Sequence, residues 1–443
     1  MNTIDVLLLS SPSHNPALYF VSENQSMPPL GLGYIATYLK KYEYTVKIID
    51  MFMHEITFDT VIDTLKNNHV NIIGISCTTE TYNIAVHMAE LIKALSEDYT
   101  IVFGGPHTSF EYREALKNKA IDYVILNEGE RSFKKFCDYS VRGIGNKNDL
   151  KGIAYKLDGD VFCAEPEPFI TNLDELPFPD RTLFDNLEKY KYPATLQTSR
   201  GCPGNCIFCA ASMLSGGRYR MRSAKSVVAE FEYLKALGFN HVCVTDDTMT
   251  VSIPRLDEIL NCLIESKLNV TWFCESRVDS INEDILAKMK KAGLTNIQFG
   301  VEAGNQKILD SIKKDITIGQ VKNVFEWCNK LDINAHSNMI IGQPQDDVDT
   351  INDTIKMAEE IVSLTGRISF SVCTPFPGTQ IWQAPEKFGI EIIDHNLNHY
   401  DTFNPVFNTK NLTANQIRNE YYRAVKQLGQ KVNATRIPAS STP

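Results

Sequence analysis

The chain has 443 residues, enough for two or three domains at roughly 100–200 residues each, every one with a core of its own. Its 43% apolar and 22% charged residues are those of an ordinary folded protein, which excludes collagen-like, coiled-coil and wholly disordered readings. A net charge of −10, from 44 basic and 54 acidic side chains, argues against a nucleic-acid partner, which needs concentrated positive charge.

No run approaches the roughly 18 uncharged apolar residues of a membrane span. The opening Met1-Asn2-Thr3-Ile4-Asp5 has no basic leader region, so no membrane partner and a cytoplasmic location are expected. Of the eleven cysteines, Cys77, Cys243, Cys262, Cys328 and Cys373 stand singly in apolar runs and read as core thiols rather than a secreted disulfide framework.

From residue 5 to about 136, five β-rich runs (6–10, 45–50, 72–76, 100–103 and 123–126) alternate with helix-length amphipathic stretches. Strands apolar on both faces and joined by helices predict a parallel sheet covered on both sides. The expected fold over 1–140 is a doubly wound, Rossmann-like (flavodoxin-like) α/β domain. Ligands of such folds lie beyond the strand carboxyl ends. There the chain carries Ser10 and Ser11, then Ser76, Thr78 and Thr79, then Gly104, Gly105 and Pro106, then Asn127, Glu128 and Gly129. These are small or hydrogen-bonding residues that leave room for a flat or bulky ligand.

Residues 141–191 read as a connector. A hairpin over 152–157 and 160–163 turns on Asp158-Gly159, and Pro166, Pro168, Pro177 and Pro179 then resist helix. Over 192–380 the alternation resumes with six strand runs (194–199, 241–245, 270–275, 296–301, 334–341 and 368–374). Six units predict an incomplete (β/α)6 barrel of TIM-like kind, with its chemistry again at the strand carboxyl ends. A C-terminal extension, 381–443, holds a predicted helix over 414–431 and a polar tail over 434–443.

The function turns on one loop after the first barrel strand: Cys202-Pro203-Gly204-Asn205-Cys206-Ile207-Phe208-Cys209. Three soft thiolates at C-x3-C-x2-C spacing suit zinc or an iron–sulfur cluster, and three ligands leave one metal position open. A structural zinc loop would add a second C-x2-C pair, and the sequence has none.

With Thr198-Ser199-Arg200-Gly201 before it and Ala210 after it, this loop resembles the signature of the radical S-adenosylmethionine (SAM) enzymes. Over about residues 1–380 the chain resembles those members that carry an N-terminal cobalamin (B12) domain. The resemblance implies one [4Fe–4S] cluster on Cys202, Cys206 and Cys209, with SAM chelating the open iron and being cleaved reductively to a 5′-deoxyadenosyl radical. It implies SAM contacts from Phe208 near the adenine, from Asp246 and Asp247 to the ammonium, and from Glu275 and Arg277 to ribose and carboxylate. Polar contact from Glu302 and packing from Phe376 follow in the same way. Glu302 reads equally as a buried structural carboxylate, and the Phe376 turn as a proline-rich domain exit.

In the first domain, Pro28-Pro29-Leu30-Gly31-Leu32-Gly33-Tyr34, Gly104-Gly105-Pro106-His107 and Glu128-Gly129-Glu130 resemble cobalamin-domain segments. The D-x-H-x-x-G motif of many cobalamin proteins is absent, and its nearest counterpart around His14 lacks both the Asp and the Gly. Cobalamin is therefore expected without a histidine lower ligand, and neither His107 nor His336 receives a catalytic role. The implied activity is methylation of an unactivated carbon in a small-molecule or peptide substrate, with a flavodoxin or ferredoxin-type reductant. Two alternatives stay open: cyclisation or rearrangement without methyl transfer, and a cobalamin carrier or sensor module.

Overall fold

The computed structural model describes residues 2–13, 26–51, 57–365 and 367–428. His14, the tail over 434–443 and the end of the helix expected over 414–431 lie outside the described residues. Two compact units emerge, one of Met1–Thr171 with Glu175–Pro193, the other of Asn172–Asp174 with Ala194–Pro443. Among the described residues, no helix is long and apolar enough to cross a membrane.

The first unit runs β1 (Asn2–Ser10), α1 (Leu30–Lys41), β2 (Val46–Asp50), α2 (Phe58–Asn67), β3 (Asn68–Ser76), α3 (Tyr82–Leu95), β4 (Thr100–Gly104), α4 (Pro106–Ala115), β5 (Tyr123–Ile125) and α5 (Gly129–Arg142). The strand order is β2-β1-β3-β4-β5, all parallel, the flavodoxin-like order. β1 is central because it is apolar on both faces: Val6, Leu7, Leu8 and Leu9 are each at most 1% exposed. Its pairing with both β2 and β3 makes the β1/β3 boundary the point where the winding reverses, and the carboxyl ends there form the expected ligand crevice.

Residues 141–191 are more than a connector. β6 (Ile153–Leu157) and β7 (Asp160–Cys163) add to the same sheet, β6 antiparallel to β5. The edge of β5 would otherwise be unpaired, and a hairpin is the shortest way to cover it. The proline-rich stretch then folds back on this unit: Tyr190 donates to Asp50 at 2.7 Å, and Phe184 joins the core around α1 and α5.

The second unit holds a six-stranded parallel sheet of β8 (Thr195–Leu196), β11 (His241–Val244), β12 (Thr271–Ser276), β13 (Leu294–Glu302), β14 (Asn334–Ile341) and β15 (Arg367–Val372), in chain order across the sheet. Between β8 and β11 a two-stranded antiparallel pair, β9 (Ser199–Arg200) and β10 (Arg220–Met221), brackets the cysteine loop. The helices α6 (Ala224–Ala236), α7 (Ile253–Ser266), α8 (Glu283–Lys291), α9 (Gln306–Ser311), α10 (Ile318–Lys330) and α11 (Val348–Thr365) alternate with the strands. The extension contributes a short antiparallel pair, β16 (Glu391–Ile392) with β17 (Phe407–Asn408), and α12 (Ala414–Leu428). The buried face of α12, including Ile417 and Tyr421, belongs to the same core as the sheet.

Strand alternation sorts this sheet. Val242, Val244, Trp272, Cys274, Ile297, Phe299, Met339 and Ile341 share the helix-packed core, and the polar positions between them face the other way. Trp272, fully buried and donating to the Ala292 carbonyl at 2.9 Å, is the largest side chain in that core. Trp272→Ala should lower the stability of this unit by about 3–5 kcal/mol, read as a shift in the denaturant midpoint at unchanged slope.

Candidate active site

The cysteine loop leaves β9 through Gly201, whose φ of +89° is left-handed. A Cβ there would lie 2.2 Å from the Arg218 carbonyl, so only glycine makes this turn. Beyond it, the Gly204 N–H donates to Cys202 Sγ at 3.4 Å. A Cβ built on Gly204 would sit 3.3 Å from Cys202 Sγ, 3.9 Å from Cys206 Sγ and 3.6 Å from Arg277 Nη1. Two thiols and a guanidinium thus surround one backbone position. The loop is anchored at its centre, where Ile207 donates to the Ile312 carbonyl at 3.1 Å and accepts from Ile381 at 3.3 Å. Gln380 adds a bond to the Asn205 side chain at 2.7 Å.

Three thiolates on one loop suit a cluster of several irons, each thiolate taking its own iron. Burial pushes the Cys206 thiol up, while the Lys314 and Arg277 cations pull it down. Those two cations favour the thiolate that iron requires.

Asp247, Glu275 and Cys209 are each open to solvent, yet loss of surrounding water is the main cause that raises all three, Glu275 to about 7 and Cys209 to about 11. Groups that are accessible and still poorly hydrated line a concave mouth rather than a convex surface. Glu275 is raised further by Asp247 and Glu302 and held back by Lys314, so these residues share one electrostatic neighbourhood with Cys206.

Within it the sequence-predicted residues separate. Asp246 is 2% exposed and turned away from the mouth: it accepts from the Thr198 N–H, the Thr198 hydroxyl and the Ser199 hydroxyl, all at 2.5 Å. Asp247 faces the opening. Arg277 spends its Nε–Nη2 fork on Asp279 at 2.9 and 3.0 Å and its other Nη2 proton on the Lys314 carbonyl at 2.6 Å, which fixes the guanidinium and leaves Nη1 for a ligand. Glu302 ends β13 with a φ of +70°, at a register break opposite β14, and forms an ion pair of 2.6 Å with Lys314. Both side chains are under 10% exposed. Gly300 makes room for the pair, since a Cβ there would lie 2.3 Å from Glu302 Oε1 and 2.7 Å from Lys314 Nζ. Phe208 and Phe376 are half-buried against the core.

Lys314 escaped the sequence reading because it lies in a connector with no motif. Burial alone would lower it, but Glu302 and Cys206 more than offset that and hold it charged. Thr248, whose hydroxyl is 3.8 Å from Cys202 Sγ, was also missed; it directly follows the Asp246-Asp247 pair.

In the first unit, Ser76, Gly104, Gly105, Asn127 and Gly129 line one cavity with Leu8, Leu32, Ile35, Ile75 and Phe133. It opens at the strand carboxyl ends and is apolar at depth with a small-residue and amide rim, which suits a large ligand with a flat aromatic appendage. Ser10, Ser11, Thr78, Thr79, Pro106 and Glu128 lie outside that lining. Ser11 donates to the Thr81 carbonyl at 3.1 Å, Thr78 is 3.2 Å from the Thr81 hydroxyl, and Glu128 accepts from the Ile170 N–H at 3.2 Å. Thr79 meets His107 Nδ1 at 3.2 Å; His107 packs on Tyr82, and burial lowers it to about 4.

Both units match known families. Residues 196–358 match the Radical SAM superfamily and residues 18–136 match the B12 binding domain. An uncharacterised methyltransferase of Pyrococcus horikoshii is 32% identical, the alignment covering 94% of this chain and 90% of that one. The anaerobic magnesium-protoporphyrin IX monomethyl ester cyclase of Rubrivivax gelatinosus is 29% identical, covering 86% of this chain and 69% of the cyclase. Among solved structures, the radical S-adenosylmethionine methyltransferase TsrM of Kitasatospora setae, with cobalamin and a [4Fe–4S] cluster bound, shares the fold at a TM-score of 0.72 and 16% identity, covering 89% of this chain and 81% of that one.

Two outcomes are expected. Cys202→Ala, Cys206→Ala and Cys209→Ala should each abolish the cluster's visible absorption after anaerobic reconstitution, whereas Cys243→Ala, a change at a buried thiol outside the loop, should keep it. Glu275 has a folded-state value raised from 4.5 to about 7, so the folded form binds the proton more tightly and stability falls as pH rises through that window. Glu275→Gln removes this decline: the variant should match the parent near the acid end of the window and exceed it above about pH 7, measured as unfolding midpoints without SAM.

Proposed function

The chain belongs to the radical SAM superfamily, in the branch that carries an N-terminal B12-binding domain, and on that footing we propose that it is a methyltransferase acting on an unactivated carbon of a small molecule. It uses a [4Fe–4S] cluster, SAM and cobalamin. When bound, the cluster supplies the electron that cleaves SAM to a 5′-deoxyadenosyl radical, and cobalamin supplies the methyl group that a substrate carbon radical takes up.

The chain's own residues bind and orient. Cys202, Cys206 and Cys209 hold the cluster, with Lys314 and Arg277 offsetting its thiolate charge. Arg277 Nη1, left open by the Asp279 and Lys314 bonds, takes the SAM carboxylate. Asp247 takes its ammonium, and Glu275 accepts from a ribose hydroxyl or stabilises the sulfonium. Phe208 and Phe376 wall the adenine. In the first unit the cavity rimmed by Ser76, Gly104, Gly105, Asn127 and Gly129 holds the cobalamin tail. A flavodoxin or ferredoxin-type reductant delivers the electron, and the unpaired thiols outside the loop, such as Cys77, Cys243 and Cys373, suit the reducing interior of a cell.

The single observation that carries this reading is the mouth itself: three loop thiols, two cations and an outward-facing carboxylate pair, Asp247 and Glu275, in one neighbourhood. The methyltransferase relative at 32% identity over nearly the whole chain favours methyl transfer over cyclisation. Turnover with SAM bearing a deuterated methyl group should place the label in the product. A product of the same substrate without label assigns cyclisation or rearrangement instead, the outcome that the cyclase relative represents.

A further inference from the structure

The inner face of the second sheet carries a set of groups that the cluster and SAM do not use. In closed parallel barrels this interior is filled by branched apolar side chains in layers. Here β13 to β15 present Gln298, His336, Asn338, Ser369 and Ser371, with Ile340 beside Ser371, on the face opposite the helix-packed core, next to Phe273 and the SAM-facing Glu275 of β12. Register sets Glu275 beside Gln298 and Gln298 beside His336, each step one strand spacing, about 4.8 Å. One level nearer the carboxyl ends, Asn338 stands beside Ser369.

Two bonds tie the set together. Gln298 Nε2 donates to Glu275 Oε1 at 3.2 Å, and His336 Nε2 lies 2.7 Å from the Ser369 hydroxyl. Much hydrogen-bonding capacity is left over. Gln298 keeps its carbonyl oxygen and one N–H, His336 keeps Nδ1, and the Asn338 side-chain amide makes no hydrogen bond among the described residues. Burial, with Arg367 nearby, lowers His336 to about 4, so near neutral pH the ring is uncharged and can both donate and accept. Past the end of β14, Gln343 is wholly buried and neither amide atom has a protein partner.

A ligand that covered these half-buried groups with hydrocarbon would strip their water and return no bonds, a penalty repeated at every position. We propose that this wall is the substrate-reading surface, and that the substrate is a polar molecule presenting hydroxyl, amide or carboxylate groups to Gln298, His336, Asn338 and Ser369, rather than a lipid or a tetrapyrrole. The assignment rests on the radical SAM reading above only in taking the barrel interior as the place where substrate meets SAM.

The test is retention. Full-length protein carrying cluster and cobalamin, with SAM present, is dialysed against the aqueous phase of a cell extract, against its chloroform phase, and against magnesium protoporphyrin IX monomethyl ester, and bound compounds are counted by mass spectrometry. A compound retained from the aqueous phase is expected, its retention about tenfold weaker in Gln298→Leu and Asn338→Leu. Ser369→Ala, the gentler change, should weaken it in the same direction and guards against a misfolded leucine variant. Retention of nothing from the aqueous phase overturns the assignment, as does retention that the three variants leave unchanged or selective retention of the porphyrin. An aqueous compound retained in this way that gains no label from methyl-deuterated SAM upholds the polar wall and removes methyl transfer instead.

Discussion

Three separate parts of the site hang on the short connector at residues 312–314. The Ile312 carbonyl receives the centre of the cysteine loop through the Ile207 N–H. The Lys314 carbonyl receives Arg277 at 2.6 Å, and the Lys314 ammonium pairs with Glu302 at 2.6 Å. A buried ion pair is poor evidence of stability by itself, since desolvation offsets much of its attraction. Its worth here is positional. Removing either partner would strand a charge among Cys206, Arg277 and Glu275, so the connector, the end of β13 and the loop are held in one arrangement. The left-handed Glu302 and the side-chain-free Gly300 are what this arrangement demands of β13.

That constraint also explains the charge layout of the mouth. Lost hydration raises both Asp247 and Glu275, with Asp246 adding to the first and Asp247 and Glu302 to the second. Lys314 cancels Glu302 internally, which leaves Asp247 and Glu275 as the acids turned outward. An outward carboxylate pair next to a braced guanidinium complements a zwitterionic, positively charged amino acid derivative, and SAM is such a molecule. The pairing therefore converts three acids into a site of defined sign.

Much of this was legible in the sequence, for identifiable reasons. The cysteine spacing is local, so its chemistry could be read without the fold. The strands could be read because parallel strands buried on both faces leave continuous apolar runs, as in Val6–Leu9. Asp246 and Asp247 look alike in a motif. Asp246 lies past the end of β11, and only the fold shows it turned onto Thr198 and Ser199 rather than toward the ammonium. Lys314 had no local signal: its partner is 12 residues upstream across a helix, and only the fold brings them together. The hairpin at 153–163 was recognised as a hairpin, but its place on the edge of β5 depends on which edge the first sheet leaves open, a tertiary fact.

The second sheet divides its labour across its width. The ends of β9, β11 and β12 gather full charges, which suits capture of a charged cosubstrate and a redox cluster. The inner faces of β13 to β15 offer mostly neutral amides, hydroxyls and an uncharged imidazole. Neutral donors and acceptors orient a polar substrate without adding a net charge beside the sulfonium or the thiolates. Burial of His336, with Arg367 beside it, serves the same end by keeping the ring uncharged. The uncharged side chains that read the substrate are thus held by the same sheet that fixes the cluster, and they leave the charge balance at the mouth unaltered.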